Sequence, residues 1–160
     1  MDVVKKFSDA IRKSGFTLSV AESCTGGLIS HLVTSAPGSS DYFLCGFVAY
    51  SNESKTGILG VPPETIEKYG AVSGETVARM LEGATAKTGS DAAIAVSGIA
   101  GPSGGTEDKP VGTVFIGVSA AGKTRIDRHL FRGGRDEIKT QAAEAALRSL
   151  ISFIGENVES

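Results

Sequence analysis

The chain has 160 residues, one domain by the rough prior of ~150 residues each, and its 41% hydrophobic and 21% charged content excludes a disordered or fibrous polymer. With 16 basic against 18 acidic side chains, a formal net charge of -2 and no run of Lys or Arg, the composition argues against a reader of nucleic-acid phosphates. No stretch supplies the ~20 apolar residues of a membrane span, the amino terminus lacks a secretory pattern, and Cys24, Cys45 and two dispersed histidines make neither a disulfide framework nor a zinc site. The expectation is therefore one cytoplasmic domain over residues 1–160, with no membrane or nucleic-acid partner and no metal.

Val3, Phe7 and Ile11 recur every fourth position between Asp2, a possible N-cap, and Gly15 at a C′ position, which predicts a short amphipathic helix over residues 3–14. Phe16, Leu18 and Val20 alternate as a strand, and Leu28, Ile29, Leu32 and Val33 form the stripe of a second helix. After a turn at 36–40, the nearly continuous apolar run from Leu44 to Tyr50 predicts a strand covered on both faces. Asn52 caps a short helix through Leu59, Pro62 and Pro63 open another that stops at Gly70, and Ser73 caps a longer one ending at Gly89 with Val77, Leu81 and Ala84 inward. Ala92 to Val96 reads as a third buried strand. Residues 98–112 then make a long loop with five glycines and two prolines, the kind of loop that usually carries function. Strands at 113–119 and 124–130 join at Ala121-Gly122, and a helix at 136–154 turns Ile138, Ala142, Ala145, Leu150 and Phe153 inward.

This order predicts an α/β sheet covered by helices on both faces. If the first three strands are parallel with right-handed crossovers, the hairpin leaves strand four alone running backward. Four segments then meet at one sheet edge, 22–27, 51–55, 97–112 and 132–135, where open α/β sheets bind ligands.

In the run Ala21-Glu22-Ser23-Cys24-Thr25-Gly26-Gly27 a strand ends and two glycines open a helix, so free N–H groups could hold an anion or an oxyanion. Ser23 reads either as a nucleophile or as a helix cap, and Cys24 as a rival nucleophile or a small buried hydrophobe. A serine nucleophile needs a proton acceptor, and neither His31 nor His129 falls near Ser23 along the predicted elements. Lys55, just past the second strand, serves if burial or a cationic neighbour lowers its pKa; otherwise it is an ordinary surface lysine. The glycine run at 98–105 lets backbone close on a ligand or forms a loose surface loop, and it lacks both the Walker and the dinucleotide spacing. Arg132 and Arg135 flank Gly133-Gly134 at the start of the last helix, either sharing a phosphate with free N–H groups or simply solvated.

The blocks AESCTGG at 21–27, GFVAYSNESK at 46–55, GAVS at 70–73, SGIAGPSGG at 97–105, KPVGTV at 109–114 and GGRD at 133–136 occur in order over nearly the whole chain and resemble the CinA carboxy-terminal domain family. The resemblance implies a three-layer αβα sandwich with a mixed five-stranded sheet, order 2-1-3-4-5 and strand 4 antiparallel. It also implies an amidohydrolase that converts nicotinamide mononucleotide to nicotinic acid mononucleotide and ammonia, without a cofactor. Many relatives carry a further amino-terminal domain similar to molybdopterin-binding proteins, so this chain looks like a stand-alone amidase. The catalytic residues it implies are Ser23 and Lys55, with the Tyr50 hydroxyl orienting the lysine or relaying a proton. The implied substrate site comprises Thr25, Gly26, Gly27, Ser97, Gly98, Gly101, Gly104, Gly105 and Arg135, the arginine meeting the phosphate. A homo-oligomer, a dimer foremost, is the expected assembly. The alternative is a non-catalytic nucleotide-binding or regulatory module using the same loops.

Overall fold

The computed structural model describes residues 2–157. Helix α1 (Asp2–Ser14) leads into strand β1 (Leu18–Glu22), helix α2 (Leu28–Thr34) and strand β2 (Phe43–Val48). Three helices follow, α3 (Asn52–Leu59), α4 (Pro63–Tyr69) and α5 (Gly74–Thr88), then β3 (Ala92–Gly98), β4 (Thr113–Ala120), β5 (Lys123–Leu130) and α6 (Arg135–Asn157). The sheet order is β2-β1-β3-β4-β5. Strand β1 runs parallel to β2 and β3, while β4 is antiparallel to both its neighbours. The expected three-layer mixed sheet is the observed fold.

Alternation along the central strands divides the core in two. Val20, Ile94, Val96, Ile116 and Val118 pack with Phe7 and Ile11 of α1, Ile29 of α2 and Leu147 and Leu150 of α6. Ala21, Ala93 and Ala95 face the other way, onto Val77, Met80 and Leu81 of α5. Small residues on that face let α5 lie close: a Cβ on Gly117 would stand 2.7 Å from Val77 and 2.8 Å from Leu81. Among the described residues no helix is long and apolar enough to cross a membrane.

Four expectations need correction. Strand β2 is not covered on both faces; it is the sheet edge, its residues alternate in exposure, and Leu44 and Val48 are each 49% exposed. Continuous apolarity cannot separate a central strand from an edge strand flanked by a short helix. Strand β1 alternates in the face its side chains take but not in exposure: it is buried at all five positions, because it lies between β2 and β3 with helices on both faces. Ser51 rather than Asn52 caps α3, its side chain accepting from the Ser54 N–H. On α6, Ala146 and Leu147 are buried while Ala145 is only partly so, a one-residue rotation of the inward face.

Candidate active site

Strand β1 ends in Glu22, and the chain then coils through residues 23–27 before α2 begins. Glu22 is wholly buried, and its carboxylate accepts five hydrogen bonds: from the Thr25 hydroxyl at 2.6 Å, the Gly27 and Ile29 N–H groups at 3.1 and 3.0 Å, and the Ser30 N–H and hydroxyl at 2.9 and 2.8 Å. It thereby satisfies the orphan donors that open a helix. The task of capping α2 thus belongs to Glu22, and Ser23 is released from it; helix α2 has no cap from the side chain of its own N-cap residue, Gly27. The sequence reading missed Glu22 as a site-shaping residue. The signal that could have found it is an acidic residue inside a buried strand immediately before a helix. Glu22→Gln puts an amide N–H₂ against donors that need an acceptor, and should lower unfolding free energy by roughly 1–3 kcal/mol in denaturant titration.

Ser23 is buried, and its Oγ lies 2.9 Å from Lys55 Nζ. Lys55 stands on α3 and is 1% exposed, so it is no surface lysine. Its position follows from the end of β2: the Ala49 N–H donates to the Glu22 carbonyl at 2.9 Å, which brings Tyr50 beside the Ser23 loop. Lys55 Nζ donates to the Tyr50 carbonyl at 3.0 Å. Burial pushes the Lys55 amine below the usual lysine range, the direction a proton acceptor requires. Burial also pushes the Cys24 thiol up to about 11, so its thiolate is scarce at neutral pH and the rival nucleophile is disfavoured.

Tyr50 is 59% exposed and meets Lys55 through its carbonyl, whereas its hydroxyl accepts from Arg135 at 3.1 Å. The expected contact of hydroxyl with lysine is replaced by a backbone contact. Arg135, the first residue of α6, also donates to the Gly101 carbonyl, so one guanidinium ties Tyr50 to the glycine loop.

The donors expected from Gly26 and Gly27 are already engaged. The Gly26 N–H donates to the Ser23 carbonyl at 3.0 Å and the Gly27 N–H to Glu22. Among the described residues the Thr25 N–H has no acceptor, and that of Cys24 has only its own sulfur, so these two N–H groups following Ser23 are the ones open to an anion.

The glycine loop is not loose. Gly112 donates to the Ile99 carbonyl at 2.8 Å, and Lys109 Nζ reaches across to the carbonyls of Tyr69 and Val72. Gly98 closes β3 beside Val114, and Gly104 faces Ile99. At Gly101, with φ +84, a Cβ would collide with Val111, and one at Gly105 would stand 2.7 Å from the Val111 N–H nitrogen. At 98, 101 and 105 glycine is needed because the loop folds onto its own chain. Ser97 is buried and donates to the Ala71 carbonyl at 2.8 Å, which pins the 70–73 segment under the loop. A cavity of about 550 Å³ lies elsewhere, between α3 and α4, lined by Thr56, Pro63 and Ile66 among others, and includes neither Ser23 nor Lys55.

Comparison with known proteins places this geometry in a family. The profile described as the CinA C-terminal domain matches residues 1–154. A CinA-like protein of Thermotoga neapolitana is 49% identical over 150 residues, covering 94% of this chain and 36% of the relative. One of Leptospira biflexa is 48% identical over 147 residues, covering 91% and 35%. The chain thus spans about a third of the length of these curated relatives. Among solved structures, the competence damage-inducible protein A of Klebsiella pneumoniae superposes with a TM-score of 0.94 at 33% identity, covering 98% of this chain and 97% of that one. The competence/damage inducible protein of Agrobacterium tumefaciens does so with 0.90 at 39% identity and 95% coverage of each. With the profile covering nearly every residue that builds the sheet and the Ser23 edge, this chain belongs to the CinA C-terminal domain family.

Proposed function

We propose that this chain is an amidohydrolase that deamidates nicotinamide mononucleotide, using Ser23 as nucleophile and Lys55 as general base. The observation that carries the reading is the buried contact of 2.9 Å between Lys55 Nζ and Ser23 Oγ. A neutral amine has two N–H groups and one lone pair; an N–H given to the Tyr50 carbonyl leaves the lone pair for the Ser23 hydroxyl.

In the first half-reaction Lys55 takes the Ser23 proton as Oγ attacks the carboxamide carbon, and the resulting oxyanion faces the Thr25 and Cys24 N–H groups. Lys55 then gives that proton to the departing nitrogen, the C–N bond breaks, and ammonia leaves an acyl-Ser23 ester. In the second half-reaction Lys55 takes a proton from water, hydroxide attacks the ester carbon, and Ser23 recovers its proton as the acid departs. Tyr50, its hydroxyl accepting from Arg135, keeps its own O–H free to donate to bound substrate at the mouth of the site.

The test is ammonia release from nicotinamide mononucleotide by the purified protein, coupled to glutamate dehydrogenase, with nicotinic acid mononucleotide identified by mass. Stoichiometric ammonia and acid are expected. Binding of the nucleotide without release of either would instead make the chain a nucleotide-binding module.

A further inference from the structure

Beside the Ser23 loop, an open groove of about 470 Å³ runs between the amino-terminal halves of α2 and α6. Its walls include Gly26 and His31 on one side and Asp136, Lys139 and Thr140 on the other. The Lys139 ammonium reaches over the loop, 3.7 Å from where a Cβ on Gly26 would stand. Other cations around this edge are committed: Lys55 to Ser23 and the Tyr50 carbonyl, Arg135 to Gly101 and Tyr50, Lys109 to the Tyr69 and Val72 carbonyls. Arg132 lines a different groove, with Pro110 and Phe131, which does not include the Ser23 loop. Among the described residues Lys139 has no ion pair or hydrogen bond, and the His31 ring and Thr140 hydroxyl have no hydrogen-bond partner to displace.

We propose that this groove is the ribose-phosphate subsite: Lys139 supplies the charge for the 5′-phosphate, Thr140 and His31 supply hydrogen bonds, and Asp136 accepts from ribose hydroxyls. The proposal rests on the deamidase reading and deepens it by saying where the nucleotide lies. The chemistry fits a sugar phosphate better than a simple anion, since an ammonium and a hydroxyl suit phosphate oxygens while a carboxylate beside them would repel an anion but suits a diol. The volume is in the range of small-molecule sites. Location adds to this, because Thr25 and Gly26 belong both to the groove wall and to the loop that carries Ser23, so the groove borders the proposed reaction centre. Arg135 is then a positioning residue for Tyr50 and the glycine loop rather than the phosphate ligand the sequence suggested.

The experiment compares Lys139→Ala and Arg135→Ala with the parent on nicotinamide mononucleotide and on nicotinamide riboside, the same amide without phosphate. Lys139→Ala should reduce the ratio of kcat/KM for mononucleotide over riboside by about tenfold or more, through KM, as loss of a charge-assisted contact does. Arg135→Ala should lower both substrates alike. An unchanged ratio in Lys139→Ala, or a ratio that collapses only in Arg135→Ala, overturns the subsite. Calorimetric titration of the parent and Lys139→Ala with the same two compounds separates this from the chemistry. If the parent binds the mononucleotide but releases no ammonia, the deamidase reading fails, and a loss of affinity confined to the mononucleotide still supports the subsite. Equal dissociation constants in parent and variant, or no binding of the mononucleotide by the parent, refute it.

Discussion

Ser23→Ala should lower kcat for ammonia release by at least about 10³-fold while leaving the dissociation constant for the nucleotide nearly unchanged. In the proposed mechanism the hydroxyl oxygen bonds to the carboxamide carbon, and without it only the oxyanion donors and the binding contacts remain to act on a water. Folding should hardly notice. Glu22, not Ser23, satisfies the α2 donors, so the loss is one hydrogen bond to Lys55, about 0.5–1.5 kcal/mol in a denaturation experiment. Cys24 cannot stand in, because its buried thiol sits at about 11 and its thiolate population at neutral pH is very small. Turnover within an order of magnitude of the parent would therefore remove Ser23 as nucleophile and with it the acyl-enzyme scheme.

How the site was legible follows from which contacts are local. The hairpin at Ala121-Gly122 requires an antiparallel pair, and parallel crossovers through the helices between earlier strands put their loops on one edge, so strand directions and the shared edge were legible in the order of elements, whereas the sheet order came with the family resemblance. Ser23 and Lys55 each follow a strand on that edge, and the fold brings their side chains together. What was illegible depends on surfaces meeting across the chain. Glu22 looked like the tail of an apolar strand, and its role appears only when α2 folds back over it. Lys139 lies in the second turn of α6, outside the GGRD block, and nothing in its neighbours announces that α6 passes beside the Ser23 loop. The glycines are ambiguous for a related reason. A backbone that must approach a ligand and a backbone that must approach Val111 require the same residue, and sequence cannot tell the two apart.

The second large effect is expected at Lys55, where the proposed mechanism makes charge state rather than presence decisive. Lys55→Arg and Lys55→Ala should both lose about 10²–10⁴-fold in kcat, because a guanidinium stays protonated and cannot take the Ser23 proton. In the parent, activity should rise with pH as the amine loses its proton, and the inflection should lie below the ordinary lysine value of 10.5, because burial lowers the folded-state value. The same displacement has a definite sign in stability. Between the lowered folded value and 10.5 the unfolded chain holds a proton that the native chain has shed, so native stability from this residue increases as pH rises through that window. Below the folded value the buried amine is charged in both states and the penalty is present in full. Lys55→Met removes the titrating group and keeps its bulk, so subtracting its stability-pH curve from that of the parent isolates the effect. A parent curve that runs parallel to that of Lys55→Met across the window, together with substantial turnover by Lys55→Arg on an unaltered pH profile, would show that the lysine acts as a fixed charge and not as the base.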